Sequence, residues 1–95
     1  MAVVRLAPPA VRDLERLAAF LRGDNPAAAA ATVRTIFDGL RVLEKHPLIG
    51  RSLFRSRREL VIYRGRTGYL AQYSYDAAAD EVLILAIRHQ REIDG

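Results

Sequence analysis

The order of strand and helix patterns along this 95-residue chain predicts an α+β fold. A short β-prone run opens the chain, two amphipathic helical patterns follow, and the hydrophobic period then changes to two through three further runs. The resulting order, β-α-α-β-β-β, predicts a helical hairpin packed on one face of a small, curved, mainly antiparallel sheet. The length suits a single domain spanning residues 1–95.

The first strand and the first helix are separated by two prolines. Residues 3–6 form a β-prone run that stops at Pro8 and Pro9. Proline cannot continue a strand ladder, but it suits the first turn of a helix. From Ala10 the apolar residues recur every three or four positions to about Arg22, which predicts the first helix.

The second helix has recognisable residues at both ends. Asn25 before Pro26 is typical of an N-cap followed by proline at the first helical position. Residues 27–31 are all alanine, which favours helix and allows close approach of a second helix, so we interpret this run as the seam of the hairpin. The apolar pattern continues until shortly before Pro47, where we expect the helix to end.

Three strands are predicted after this helix, at residues 59–63, 69–75 and 82–89, and the short loops between them make neighbours antiparallel. Side-chain alternation then assigns faces. Five residues are expected to lie under the helices: Leu60, Ile62, Leu83, Leu85 and Ile87. Four residues of the middle strand are expected on the opposite face: Tyr69, Ala71, Tyr73 and Tyr75. An exposed aromatic face predicts a bound partner, unless the chain's own loops cover it.

The basic residues are concentrated in one stretch of the chain. The 15 basic and 11 acidic residues give a net charge of +4, and Lys45 is the single lysine. Between Arg51 and Arg66, six arginines stand against Glu59 alone, which is a net +5. Such a stretch is typical of a surface that docks nucleic acid or an acidic protein segment, the alternative being a solvated face with no partner.

Composition also argues against several classes of protein. The absence of cysteine excludes a disulfide scaffold and a thiolate metal site, and two histidines are too few for a dedicated zinc site. No apolar run approaches the ~20 residues of a membrane span, and the N-terminus lacks the apolar core of a signal peptide. We therefore expect a cytoplasmic protein without a metal or cofactor.

Five segments, in order, resemble the ParE/RelE superfamily of bacterial toxins. They are Ala10-x-x-Asp13-Leu14, His46–Arg51, Arg58–Val61, Gly68–Leu70 and Val82–Glu92. The resemblance covers nearly the whole chain and implies the toxin of a type II toxin-antitoxin system, of the kind associated with plasmid stabilisation. It also implies a cognate antitoxin that wraps a segment around the toxin. Ala7 departs from the serine or threonine helix cap that is frequent in the family.

The superfamily divides by mechanism. ParE-type members are associated with poisoning DNA gyrase and have no known catalytic set, whereas RelE-type members resemble ribonucleases that cut messenger RNA on the ribosome. RelE-like enzymes typically have an essential tyrosine, histidine or lysine near the C-terminus, and after His89 this chain has neither tyrosine nor lysine. The resemblance therefore favours a gyrase inhibitor without catalytic residues.

Two alternatives remain open. A ribosome-dependent ribonuclease would need groups for proton transfer and for stabilising charge on the phosphate, for which the chain offers His89 and Arg91. An inactive copy would only bind the antitoxin. Under all three interpretations, the candidate antitoxin- or target-binding residues are Arg51, Arg57, Arg58, Arg88, His89 and Arg91.

Overall fold

The computed structural model describes residues 1–91; Glu92, the last residue of the C-terminal motif, lies outside them. The elements in chain order are β1 Val3–Leu6, α1 Pro8–Asp24, α2 Pro26–Leu40, α3 Val42–Lys45, β2 Arg51–Ser52, β3 Arg57–Arg64, β4 Thr67–Asp76 and β5 Glu81–His89. A short turn, Phe54–Ser56, joins β2 to β3. The predicted α+β class and the β-α-α-β-β-β order are confirmed, with β2 and α3 as small additions.

The five strands form one sheet in the order β1-β5-β4-β3-β2. The pairings of β5 with β4, of β4 with β3, and of β3 with β2 are antiparallel, as the short connections predict, whereas β1 lies parallel to β5. The helical hairpin covers one face, with α1 packed mainly on β5 and α2 on β3. This arrangement places the core between the hairpin and one side of the sheet.

The helix boundaries follow the predicted residues closely. Ala7 gives α1 no side-chain cap, and the two prolines occupy its first turn. Asn25 caps α2, since its Oδ1 accepts the N–H of Ala28 at 3.1 Å. The predicted second helix is interrupted at Arg41, after which the single turn α3 completes it. The break follows Gly39, and glycine is the weakest helix former in this stretch.

The prediction of which β5 residues face the helices is correct only at one end of the strand. Ile87 is fully buried, but Val82 and Ile84 are buried in place of Leu83 and Leu85. The cause is a β-bulge: Gln72 pairs with Ala86 and Tyr73 with Ile84, so that Leu85 is an extra residue on β5. A bulge changes the phase of alternation, which a strict period of two cannot anticipate. On β3, Ile62 is buried and Leu60 packs against the core, as predicted.

The prediction of an exposed aromatic face is wrong. Tyr69, Ala71 and Tyr73 are buried in the core beneath the helices, and Tyr75 packs at its margin. Alternation shows that these residues share a face but does not say which face the helices cover. Strand pairing decides this, because Tyr69 lies opposite the core residue Ile62, and Ala71 lies opposite Leu60, which packs against the core.

Candidate functional site

The six predicted binding residues fall into two groups at opposite ends of the sheet. Arg51, Arg57 and Arg58 lie around the β2–β3 hairpin, which we call the hairpin end, whereas Arg88, His89 and Arg91 lie at the end of β5. On β4, the partner of Arg57 is Ser74 and the partner of His89 is Tyr69. Five residues of strand at ~3.3 Å each separate these positions by about 16 Å. The six residues therefore do not form a single site.

Arg58 is held by the backbone of the loop before β2. Its guanidinium Nη1 donates to the carbonyl oxygens of Leu48 at 3.0 Å and of Gly50 at 2.8 Å. The N–H of Gly50 in turn donates to the hydroxyl of Tyr73 at 2.9 Å. Burial raises the pKa of Tyr73 above its ordinary value, although the Gly50 hydrogen bond and the nearby charge of Arg58 lower it in part. Arg58 and Tyr73 thus fix this loop to the sheet.

This close approach explains the glycine of the His46–Arg51 motif. A Cβ atom at Gly50 would lie 2.6 Å from the hydroxyl of Tyr73 and 3.0 Å from the carbonyl oxygen of Glu59. Because one of these neighbours is backbone, no side-chain rotation removes the overlap. The motif that carries part of the resemblance is therefore a packing feature of the fold.

Arg51 and Arg57 present exposed guanidinium groups at the hairpin end. Arg51 Nη2 lies 2.9 Å from Glu59 Oε1 and forms a salt bridge whose arginine side is open to solvent. The side chain of Arg57 is exposed and has no hydrogen bond or ion pair within residues 1–91. Of the three predicted residues here, these two are available to a partner.

Asp13 has a role that the sequence reasoning missed. Its side chain on α1 is nearly buried, with the residue only 7% exposed. Its Oδ2 accepts the backbone N–H of Ile87 at 2.9 Å, while its Oδ1 lies 3.3 Å from Arg88 Nη1 and 3.5 Å from Arg16 Nη1. The pairing of β1 stops at Ile84, so the carboxylate takes the place of a neighbouring strand beyond it. An acidic residue next to the apolar stripe of α1 was the available signal.

His89 lines a small cleft at the end of β5. The cleft has a volume of about 260 Å³ and is lined by Arg66, Thr67, Gly68, His89, Gln90 and Arg91. The ring of His89 meets that of Tyr69 edge-on, with centroids 5.4 Å apart. Its Nδ1 accepts the backbone N–H of Arg91 at 3.0 Å. This cleft brings together two predicted residues, His89 and Arg91, with Arg66 from the basic stretch.

Tyr63 also stands beside this cleft and was not predicted there. It pairs with Gly68 across the β3–β4 hairpin, and a ring carbon of Tyr63 lies 3.3 Å from the place where a Cβ of Gly68 would be. Its side chain is 60% exposed. Sequence distance from His89 concealed this placement, since only the pairing of β3, β4 and β5 brings the two residues to the same end of the sheet.

A larger apolar cleft lies against the helical hairpin. It has a volume of about 740 Å³, and its apolar lining is Leu6, Val11, Leu14, Ala18, Ala19, Val33 and Phe37. Arg12, Arg16, Arg22 and Glu15 also line it, so that basic side chains predominate among its charged residues. Sequence periodicity assigned several of the apolar residues to the core, but Val11 and Phe37 are exposed.

Within residues 1–91, no three histidine, cysteine, aspartate or glutamate side chains converge on a position that could hold a metal ion. Over the same residues, no helix has both the length and the apolar character needed to cross a membrane.

The known proteins that this chain resembles include toxins and chains of toxin-antitoxin systems. A family model described as the ParE toxin of the type II toxin-antitoxin system parDE matches residues 4–94. Toxin RelE3 of Caulobacter vibrioides is 36% identical over 92 residues, which cover 97% of this chain and 98% of that protein. A chain of the toxin-antitoxin complex RelBE2 from Mycobacterium tuberculosis is 29% identical, with a TM-score of 0.63 and coverage of 94% and 91%. A chain of the chromosomal ParDE system from P. aeruginosa has a TM-score of 0.76 at 20% identity, covering 94% and 96%, and shows the same fold.

Proposed function

The chain belongs to the ParE toxin family of type II toxin-antitoxin systems, and we propose that it inhibits DNA gyrase in the cytoplasm without a catalytic site of its own. The observation that carries this proposal is the hydrogen bonding of His89. Its Nδ1 accepts the N–H of Arg91, so the neutral ring carries its proton on Nε2. In this hydrogen-bonded arrangement, neither ring nitrogen presents a free lone pair to an RNA hydroxyl.

The surroundings of His89 support the same conclusion. Tyr69, the aromatic residue in contact with it, is buried and therefore not placed to transfer protons with a substrate. Arg88, the neighbouring basic residue, is paired with Asp13. A metal-free ribonuclease needs a base and an acid on opposite sides of the reacting phosphate. Gyrase inhibition requires only a binding surface.

The gyrase proposal is tested with the purified toxin in two assays. We expect inhibition of gyrase-catalysed supercoiling and no cleavage of ribosome-bound message. His89→Asn supplies an oxygen to accept the Arg91 N–H but cannot exchange protons in the same way, so gyrase inhibition should change by less than about threefold. Loss of a proton-transfer group costs a ribonuclease about 10²–10⁴-fold. His46→Asn, at an exposed helix end, is the matched control.

The ribosome-dependent ribonuclease remains the second candidate because of the cleft. Arg66, His89 and Arg91 line it together, and Tyr63 stands beside it with an exposed hydroxyl-bearing ring. Under this alternative the arginines stabilise charge on the phosphate, and Tyr63 supplies the acid or base that His89 alone lacks. Message cleavage that falls with both His89→Asn and Tyr63→Phe, with gyrase unaffected, would replace the gyrase proposal. An absence of growth arrest on induction would favour the inactive antitoxin-binding module.

We also propose an antitoxin partner with an acidic, amphipathic segment. The apolar cleft against α1 and α2 offers a place for the apolar side of a helix, and the arginines lining it suit acidic residues on that helix. At the hairpin end, Arg51 and Arg57 offer two further contacts for carboxylates. A segment that is disordered when free can cover both regions as it folds on binding.

The antitoxin is sought as the product of a short acidic reading frame adjacent to the toxin gene, by co-expression and co-purification. Phe37→Asp places a negative charge where it would repel the acidic residues of the antitoxin, and it removes an apolar contact in the cleft. We therefore expect loss of the complex. Arg51→Ala with Arg57→Ala should weaken binding, more strongly at low salt. Arg34→Ala on α2 is the matched control for exposed charge. Arg58 is left unchanged because its substitution would release the loop it holds.

Unchanged affinity of the Arg51 and Arg57 variant across a salt series would contradict a role for the hairpin end in antitoxin binding. A Phe37→Asp protein that keeps its partner would contradict the use of the cleft. The two results are independent, since the regions belong to different layers of the fold.

A further inference from the structure

The turn between β2 and β3 presents an unusually exposed aromatic ring. Phe54 is 82% exposed, more than any other large hydrophobic side chain of residues 1–91. It begins the three-residue loop Phe54–Ser56, which is closed by the N–H of Leu53 donating to the carbonyl oxygen of Arg57 at 2.7 Å. The ring therefore stands at the tip of a short, hydrogen-bonded hairpin.

The backbone of this tip is strained. Arg55 and Ser56 both have positive φ angles, of 62° and 61°, and neither is glycine. Tight hairpin loops with this backbone normally use asparagine, aspartate or glycine, which tolerate it better. Two consecutive residues in an unfavourable backbone conformation cost energy, so the surrounding structure must hold this tip in its shape.

The charge around the ring is positive. The guanidinium carbon of Arg55 lies 5.4 Å from the centroid of the Phe54 ring, so it covers that ring as a cation. Arg57 has no ion pair within residues 1–91. The nearby carboxylate of Glu59 is already paired with Arg51, and Asp76 on the adjoining strand accepts the N–H groups of Ala78 and Ala79.

We propose that this hairpin tip binds duplex DNA directly, with Phe54 inserted as a wedge at a base step, Arg55 moving from the face of that ring to one flanking phosphate and Arg57 contacting the other. A single protruding ring offers little area to another protein, which gains affinity from a packed patch, but it suits insertion between stacked bases. The minor groove is about 6 Å wide, which excludes the whole hairpin and admits one ring. Arginine matches phosphate geometry on either side.

This inference goes beyond gyrase inhibition, and its test needs neither gyrase nor an antitoxin. The toxin is titrated into a fluorescein-labelled 20-base-pair duplex, with 2-aminopurine beside a flexible TA step to report unstacking. We expect weak binding. The logarithm of the association constant should fall with the logarithm of the salt concentration at a slope of about −2, as two phosphate contacts require. The 2-aminopurine fluorescence should rise on binding.

Variants separate the wedge from general attraction by positive charge. Phe54→Ala should abolish the 2-aminopurine signal and weaken binding by about tenfold, the loss typical of a base-stacking side chain. Arg57→Ala should reduce the salt slope by about 1. The matched control is Phe20→Ala on α1, which removes a similarly exposed ring, 74% accessible, far from the hairpin in sequence and should change neither quantity.

Three results would overturn the proposal. They are no binding at low salt, equal binding and fluorescence for the Phe54→Ala and Phe20→Ala proteins, and tighter binding to a single-stranded RNA of the same sequence. Because Phe54 is exposed, its replacement should leave the fold intact, and circular dichroism checks this. Phe54→Leu keeps an apolar wedge and should retain part of the signal.

Discussion

Replacing Tyr73 by phenylalanine removes one oxygen atom from the core and leaves the ring in place. That oxygen accepts the N–H of Gly50, which is itself buried and has no other partner within the described chain. A buried donor without an acceptor costs about 1–3 kcal/mol of the free energy of unfolding. In a domain of this size, ~2 kcal/mol lowers the melting temperature by about 8–16 °C.

The same substitution alters the dependence of stability on alkaline pH. Because the pKa of Tyr73 in the fold lies above its value of 10.0 in the unfolded chain, the folded state holds its proton longer. The contribution of Tyr73 to the free energy of unfolding is therefore fully present below about pH 10 and decreases as pH rises above it. The phenylalanine variant should lose this contribution and keep only that of Tyr75, whose pKa is raised chiefly by its hydrogen bond to Asp80.

Urea unfolding followed by circular dichroism, from pH 7 to pH 11, measures both effects. Tyr63→Phe is the matched control. Because Tyr63 is 60% exposed, this variant should have the same free energy of unfolding as the wild type. A Tyr73→Phe protein within about 0.5 kcal/mol of the wild type at pH 7 would refute the argument. It would mean that the loop at Gly50 does not depend on this hydrogen bond.

Two further substitutions test other features of the fold. Asp13→Ala should lower the free energy of unfolding by about 2–3 kcal/mol in urea, because it leaves the N–H of Ile87 and the charge of Arg88 without a carboxylate; Asp38→Ala, exposed on α2, should change it little, and equal effects would contradict the edge-capping role. Ser56→Gly should raise the melting temperature by about 4–8 °C, corresponding to ~1 kcal/mol of relieved backbone strain at φ 61°. A lower melting temperature would show that the serine side chain stabilises the turn.

The site was predicted less completely than the fold, and the reason is visible in individual residues. Arg57 and Arg58 are neighbours with the same chemistry, yet the side chain of Arg57 makes no hydrogen bond within residues 1–91, whereas the side chain of Arg58 holds the loop before β2. Their difference comes from the two faces of β3, one of which meets the loop before β2. Tyr63 and His89 are far apart in sequence and reach the same end of the sheet only through strand pairing.

Local patterns determined the class of the fold, because helix periodicity, proline positions and the cap at Asn25 act within a few residues of one another. They also determined the strands and their antiparallel order, since short connections leave few other arrangements. Tertiary structure alone decided which side of β4 became the core. It did so through the pairing of β4 with β3 and β5. Tertiary structure also decided which residues of β5 are buried, because the extra residue at Leu85 reversed the alternation of that strand. Which face of a strand is buried depends on residues that are distant in sequence, so the local hydrophobic pattern of that strand cannot predict it.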